Sequence, residues 1–220
     1  MNNTNKTRDS KSRTLGMVQT ALFAALIIIL AFTPFLGYIP LGFTRATIIH
    51  IPVIIASVTL GPKKGAFLGF VFGMTSLINN TINPTVTSFA FSPFYTLGEV
   101  KGGIGSLIIC FVPRILVGVV PFFVYKALHK LAKKNEGCHM LVLGITGMIG
   151  ALTNTLLVMN LIFLFFKDAY ASANGVAVDA VYGFILSIIG INGIPEAIVA
   201  AILVALITKA LQKARITQLK

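Results

Sequence analysis

Six apolar runs, at 15–35, 45–60, 66–78, 104–128, 140–166 and 180–207, take up most of this chain, and its charges fall between them rather than along them. A soluble helix alternates apolar and polar faces every few residues. These runs do not, which places them in lipid rather than around the core of a water-soluble domain. Charged residues make up 11% of the 220 positions, less than half the soluble norm. Spans of about 20 residues with short connections allow six crossings at most. The expected fold class is an all-α membrane protein of six transmembrane helices over 15–208. A basic N-terminal segment, 1–14, and a basic tail, 209–220, flank it. The first run is long and lacks a small-x-small cleavage site after it, so it is expected to remain as the first span.

The net charge of +12 would suit a nucleic-acid partner, but its distribution argues against one. Lys and Arg gather beside the apolar runs, without base-stacking aromatics interleaved. Four lie in 1–14, two in the turn 61–65, four in 126–137 and four from Lys209 onward, together fourteen of the eighteen. With six spans all four clusters share one side, and the positive-inside rule makes that side, with both termini, cytoplasmic. The loops 37–44, 79–103 and 167–179 then face outward. Cys110 and Cys138 have neither metal-ligand nor disulfide spacing.

Small residues punctuate the runs. Ala21 and Ala25, four apart in the first, let a second helix approach closely, either within this chain or from another one. The second run is short, begins near Arg45, and is interrupted by Pro52. Gly65, Gly69 and Gly73 form a stripe on the third, suited to tight packing. The longest irregular stretch, 79–103, is too aromatic for plain disorder and reads as a segment folded over a pocket or onto the membrane surface.

Polar groups inside spans are expensive, so each is a candidate site residue. Arg45, His50, Arg114, Asn160 and Asn192 fall in the outer half of the membrane, with Asn154 and Glu196 near the middle. Asn192 and Glu196, four apart, share a helix face, and Gly193 and Pro195 loosen the helix there. A buried Arg114 needs an anion. Either Glu196 supplies it, or a substrate carboxylate or phosphate does, gripped bidentately. His50 reads as a hydrogen-bonded helix histidine or a ligand contact, and Asn154 and Asn160 as helix–helix bonds or ligand contacts. Phe94 and Tyr95 read as a lid or an interfacial belt. No catalytic set, metal cluster or cofactor motif is present. The turn Gly61-Pro62-Lys63-Lys64-Gly65 lacks the pattern of a phosphate-binding loop, so this chain has no means of hydrolysing ATP.

Several segments together resemble the substrate-binding S components of the energy-coupling factor (ECF) vitamin transporters. They are the basic N-terminus, the Ala21/Ala25 pair, the run from His50 through Pro52 to Ala56, and Leu60 through Lys63-Lys64 to Ala66. The segments from Gly69 to Asn80 and from Phe89 to Phe94 add to them. The resemblance covers about residues 15–210. It implies a six-helix protein of the prokaryotic plasma membrane that binds a vitamin from outside. Such a protein docks on a transmembrane coupling subunit that carries two cytoplasmic ATPases. It implies that Ala21 and Ala25 meet the coupling subunit, and that loops cap a pocket toward the outside. The sequence is most similar to the pantothenate type, and a carboxylate with hydroxyls suits arginine and asparagines. Riboflavin, folate and a thiamin-precursor pyrimidine are the other substrates weighed. The absence of a histidine in residues 2–10 departs from what a cobalt or nickel S component would need. An autonomous secondary transporter has little room in 220 residues for two gated repeats, and a lipid enzyme has no catalytic set here.

Overall fold

The computed structural model describes residues 3–33, 37–41, 44–98, 100–132 and 138–214. Helix α1, Asn3–Phe32, is continuous, so most of the basic segment 1–14 extends the first helix rather than standing apart from it. Phe23, Ala24, Ile27, Leu30 and Ala31 recur at helical spacing and turn one face of α1 into the bundle. Its other face stays open, with Leu22 and Ile29 exposed.

The chain then forms a hairpin that the sequence does not suggest. Strand β1, Tyr38–Leu41, pairs antiparallel with β2, Thr44–Thr47, and Arg45 lies opposite Pro40. Arg45 is therefore a strand residue, not the start of the second span, and its side chain lies outside the described residues, as does Gly42. Helix α2, His50–Leu60, begins after the hairpin. Pro52 does not interrupt it. It sits in the first turn, where backbone N–H groups have no intrahelical partner to lose. All eleven residues of α2 are buried. At about 16 Å α2 is too short to cross a hydrocarbon layer of roughly 30 Å. It escapes that requirement because helices that come before and after it in the chain surround it.

Gly61, at φ 95°, turns the chain into α3, Pro62–Ile82, with Pro62 in the first turn. The helix runs on past 78, where the Asn80 and Thr81 side chains bond back to the carbonyls of Ser76 and Leu77 and so need no other partner in the span. The glycine stripe on α3 lies against α4, Ile104–Val117. A Cβ at Gly65 would strike the Gly118 carbonyl, and one at Gly69 would strike the Arg114 carbonyl. The two backbones touch directly, the arrangement by which helices gain dispersion contacts in lipid. Between α3 and α4, the described residues 83–98 and 100–103 fold back on the bundle. Ser88–Ala90 forms a single tight turn, and β3, Thr96–Leu97, pairs with β4, Val100–Lys101.

The fourth run is divided into α4 and α5, Val120–Leu131, by a break at Gly118. Helix α6, His139–Asn174, extends well beyond 166, with one non-helical residue at Phe166 (φ −137°, ψ 29°). Most of the expected loop 167–179 is thus helical, ending where Gly175 takes φ 66°. The sixth run is α7, Val181–Ile188, a wide π turn at Ile189–Gly193, and α8, Ile194–Lys213. The tail from Lys209 begins inside α8, and 215–220 lie outside the described residues. Among the described residues, five helical segments are long and apolar enough to cross a membrane, and α2 is a shorter apolar sixth.

Gly69→Val should lower the thermal stability of the detergent-solubilised protein by about 1–3 kcal/mol, the usual cost of overpacking. Gly183→Ala, which meets nothing within 4 Å, should leave it unchanged. Unfolding monitored by size-exclusion recovery after heating distinguishes the two.

Candidate substrate site

At the end of the bundle that carries β1–β2 and the loop 83–103 there is a cavity of about 860 Å³, within the range of small-molecule sites. The C-terminal turns of α3 supply Ser76, Asn79 and Asn80. One face of α6 supplies Asn154, Thr155, Val158, Met159 and Ile162, and its last turns add Tyr170 and Asn174. Arg114 enters from α4, Phe184 and Ile188 from α7, Asn192 from the π turn, Glu196 from α8, and Thr47 from the hairpin. One guanidinium, one carboxylate and a ring of amides and hydroxyls therefore face an otherwise apolar and aromatic wall.

Glu196 ties three elements together. Its Oε1 accepts the Thr47 backbone N–H at 2.6 Å, and its Oε2 accepts the Thr155 hydroxyl at 3.2 Å. It is thus held by the hairpin and α6 and not by Arg114, which answers one of the alternatives the sequence left open. The Arg114 Nη1 donates to the Ile109 carbonyl at 2.6 Å, and its guanidinium lies over the rings of Phe72 and Phe91, at 5.6 and 5.2 Å. Asn154 is buried, and its side-chain oxygen has no hydrogen-bond partner among the described residues.

The loop over the cavity is tethered. Ser88 donates to Asn80 Oδ1 at 2.8 Å and accepts the Thr85 N–H, while Thr81 and Ser92 share a bond of 2.7 Å. Phe89 is fully buried and meets Phe166 edge-on at 5.7 Å, and the Ser106 hydroxyl bonds the Phe89 carbonyl. These bonds hold Thr85, Thr87 and Phe91 at the cavity wall.

Of the residues singled out from sequence, the cavity gathers Arg114, Asn192 and Glu196, together with Asn154. Among the described side chains it does not include His50, Phe94, Tyr95 or Asn160, and the Arg45 side chain lies outside the described residues. Asn160 is exposed and bonds the Leu156 carbonyl one turn back, because residues 154, 155, 158, 159 and 162 define the inward face and 160 lies off it. Phe94 is 76% exposed, and Tyr95 packs half-buried beside the Phe89 cluster. Phe91 is the aromatic of this loop that reaches the cavity. His50 is buried at the start of α2 beside the Thr47 backbone, away from the cavity lining. Thr47, Asn79, Asn80, Thr155 and Tyr170 are cavity residues that the sequence reading passed over. Helical phase from Asn154 points to Thr155, but nothing in sequence places Thr47 beside Glu196. Ala21 and Ala25 lie on the exposed face of α1 rather than in the bundle interior.

Residues 16–208 match the family described as ECF transporter, substrate-specific component. The chain belongs to this family. The S component is 39% identical over 207 residues to a protein named pantothenic acid transporter PanT, from Lactococcus lactis subsp. cremoris (strain MG1363). That match covers 93% of this chain and 97% of the relative. It is 34% identical over 208 residues to a pantothenate transporter PanT of Leuconostoc mesenteroides subsp. mesenteroides, covering 90% of this chain and 92% of that one. A solved structure of the S component for biotin from an ECF-type ABC transporter covers 95% of each chain at 20% identity, with a TM-score of 0.43. The S component is accordingly a multi-pass protein of the cell membrane and part of a transporter.

Glu196→Ala should free the Thr47 amide while leaving the glycine-packed helices in place. A hydrogen bond to a charged group contributes about 1.5–3 kcal/mol, so Thr47 should lose roughly tenfold or more of its protection in hydrogen exchange. Unchanged protection at Thr47 would show that the hairpin is held by something else.

Proposed function

We propose that this S component captures pantothenate from outside the cell. It delivers the vitamin inward when docked on an ECF transmembrane coupling subunit with two cytoplasmic ATPases. The observation that carries the substrate is the near full-length identity to two proteins named as pantothenate transporters. The cavity supports it chemically. Pantothenate has one carboxylate, one amide and two hydroxyls on a short aliphatic frame. The Arg114 guanidinium suits the carboxylate, since a charge-assisted bidentate pair is among the strongest hydrogen-bonded contacts. Asn154 and Glu196 are acceptors suited to hydroxyl and amide N–H donors, and Val158, Ile162 and Ile188 suit the aliphatic part.

Docking rests on the exposed face of α1. Ala21 and Ala25 lie there among exposed Leu22 and Ile29, so a partner helix can come close to the backbone at the two alanines. The basic clusters put both termini in the cytoplasm, which turns the cavity end outward. The chain has no nucleotide-binding motif of its own, so the ATPases supply the energy.

Mass spectrometry of the small molecule that copurifies with the protein should find pantothenate. A different vitamin there would overturn the substrate and leave the transporter role standing. Arg114→Gln should weaken pantothenate binding by about 10- to 150-fold, equivalent to roughly 1.5–3 kcal/mol, while Asn160→Ala leaves it unchanged. Ala21→Leu with Ala25→Leu should preserve binding and abolish ATP-driven uptake in reconstituted vesicles. Lost binding in that variant would mean the pair packs internally.

A further inference from the structure

Helix α6 does not stop at Phe166. That residue departs from helical geometry (φ −137°, ψ 29°), and the helix resumes beyond it to Asn174. The kink is held in place. The Phe166 ring meets Phe89 edge-on at 5.7 Å, and a Cβ at Gly105 of α4 would come within 3.3 Å of it. The turns beyond the kink put Tyr170 on the cavity wall, with the Phe184 ring of α7 at 6.3 Å between centroids. Around Tyr170 the wall is apolar, made by Val158, Ile162 and Ile188. Tyr170 is only 3% exposed. Its hydroxyl makes no hydrogen bond to a described residue, and it is not sealed in the interior as the Asn154 oxygen is, so the surface it keeps opens on the cavity. Its backbone carbonyl is already matched, by the Asn174 side-chain amide at 2.8 Å. A buried tyrosine hydroxyl ordinarily has a partner, and here the partner is left for a ligand to supply.

We propose that Tyr170 is a specificity-determining residue that donates to the amide carbonyl of the bound vitamin. This rests on the pantothenate reading above. That reading gives the carboxylate to Arg114, and the ligand's O–H and N–H donors to Asn154 and Glu196. It leaves one strong acceptor unassigned, the amide carbonyl in the middle of the molecule. Against an apolar wall an unmatched carbonyl is costly, and the Tyr170 phenol is an O–H donor set into that wall. A tyrosine has two side-chain torsions, so little freedom is lost in aiming it.

The test is Tyr170→Phe in the full chain, which removes the hydroxyl and keeps the ring. Calorimetry measures binding of pantothenate and of its alcohol analogue pantothenol, which keeps the amide and lacks the carboxylate. Tyr170→Phe should weaken both by a similar factor, roughly two- to tenfold, the scale of one neutral hydrogen bond. Arg114→Gln should weaken pantothenate alone. A Tyr170→Phe loss confined to pantothenate would put the phenol on the carboxylate and overturn the proposal, as would no loss for either compound. The ligand-free variant should melt with wild type, because no bond within the protein is removed. A lower melting temperature would give the hydroxyl a structural partner instead. Isotope-difference infrared spectra use pantothenate with carbon-13 at the amide carbonyl. The band of the bound carbonyl should lie at lower frequency in wild type than in Tyr170→Phe, and equal frequencies would overturn the assignment. Where pantothenol binds too weakly to measure, this comparison decides. If wild type binds neither compound, the pantothenate reading fails and the proposal fails with it. If wild type binds and Tyr170→Phe binds equally well, the proposal fails alone.

Discussion

In hydrocarbon, a backbone N–H or carbonyl without a partner has no water to turn to. A chain can therefore leave regular helix only where protein or a water-filled cavity takes up the freed groups. The departures from regular helix in this protein follow that constraint. The hairpin ends in Thr47, whose N–H is taken by Glu196. The π turn at Ile189–Gly193 places Asn192 at the cavity, one turn before Glu196. Pro113 has no N–H for the Ile109 carbonyl, which accepts from the Arg114 guanidinium. Beyond Phe166, the last turns of α6 supply Tyr170 and Asn174. At these places the irregular backbone lies beside the polar cavity, and elsewhere, as at Gly118, packed protein covers the break.

The rest of the bundle is built the opposite way. Helix α2 is short and wholly buried, and the glycines of α3 bring its backbone onto that of α4 at Arg114 and Gly118. Those contacts involve atoms that cannot move by changing a rotamer, so the interior resists deformation. Arg114 belongs to both regions. Its carbonyl lies where α3 and α4 touch, and its guanidinium lies at the cavity. The position of the cation is thus tied to the glycine-packed contact of α3 with α4.

What was legible in the sequence followed from lipid, and what was not followed from tertiary contact. Apolar run length located the five long apolar segments and α2, though not their ends, and the spacing of Gly65, Gly69 and Gly73 announced close packing that the structure has. The expense of a buried charge singled out Arg114 and Glu196, both at the cavity. The hairpin was illegible because its short strands are held at Thr47 by Glu196, a residue 149 positions away. Asn160 was grouped with Asn154 because hydropathy counts a polar residue without assigning it a face, whereas six residues along a helix turn it away. The helical course of 167–174 was hidden by Lys167 and Asp168. Those charges mark the end of an apolar run but not the end of a helix.

Two surfaces with different duties follow from this layout. No described residue of α1 lines the cavity, and the exposed alanines of α1 lie on the face turned away from the bundle. Between the two stands α2, which α1 touches and whose described residues do not line the cavity either. A partner gripping α1, as proposed, would leave the cavity-lining groups untouched. Any effect of docking on affinity would have to travel through α2, or through α3, which α1 also touches and which brings Ser76, Asn79 and Asn80 to the cavity. The second route is a stiff one, because Gly65 and Gly69 press the backbone of α3 directly onto that of α4 and its C-terminal turn.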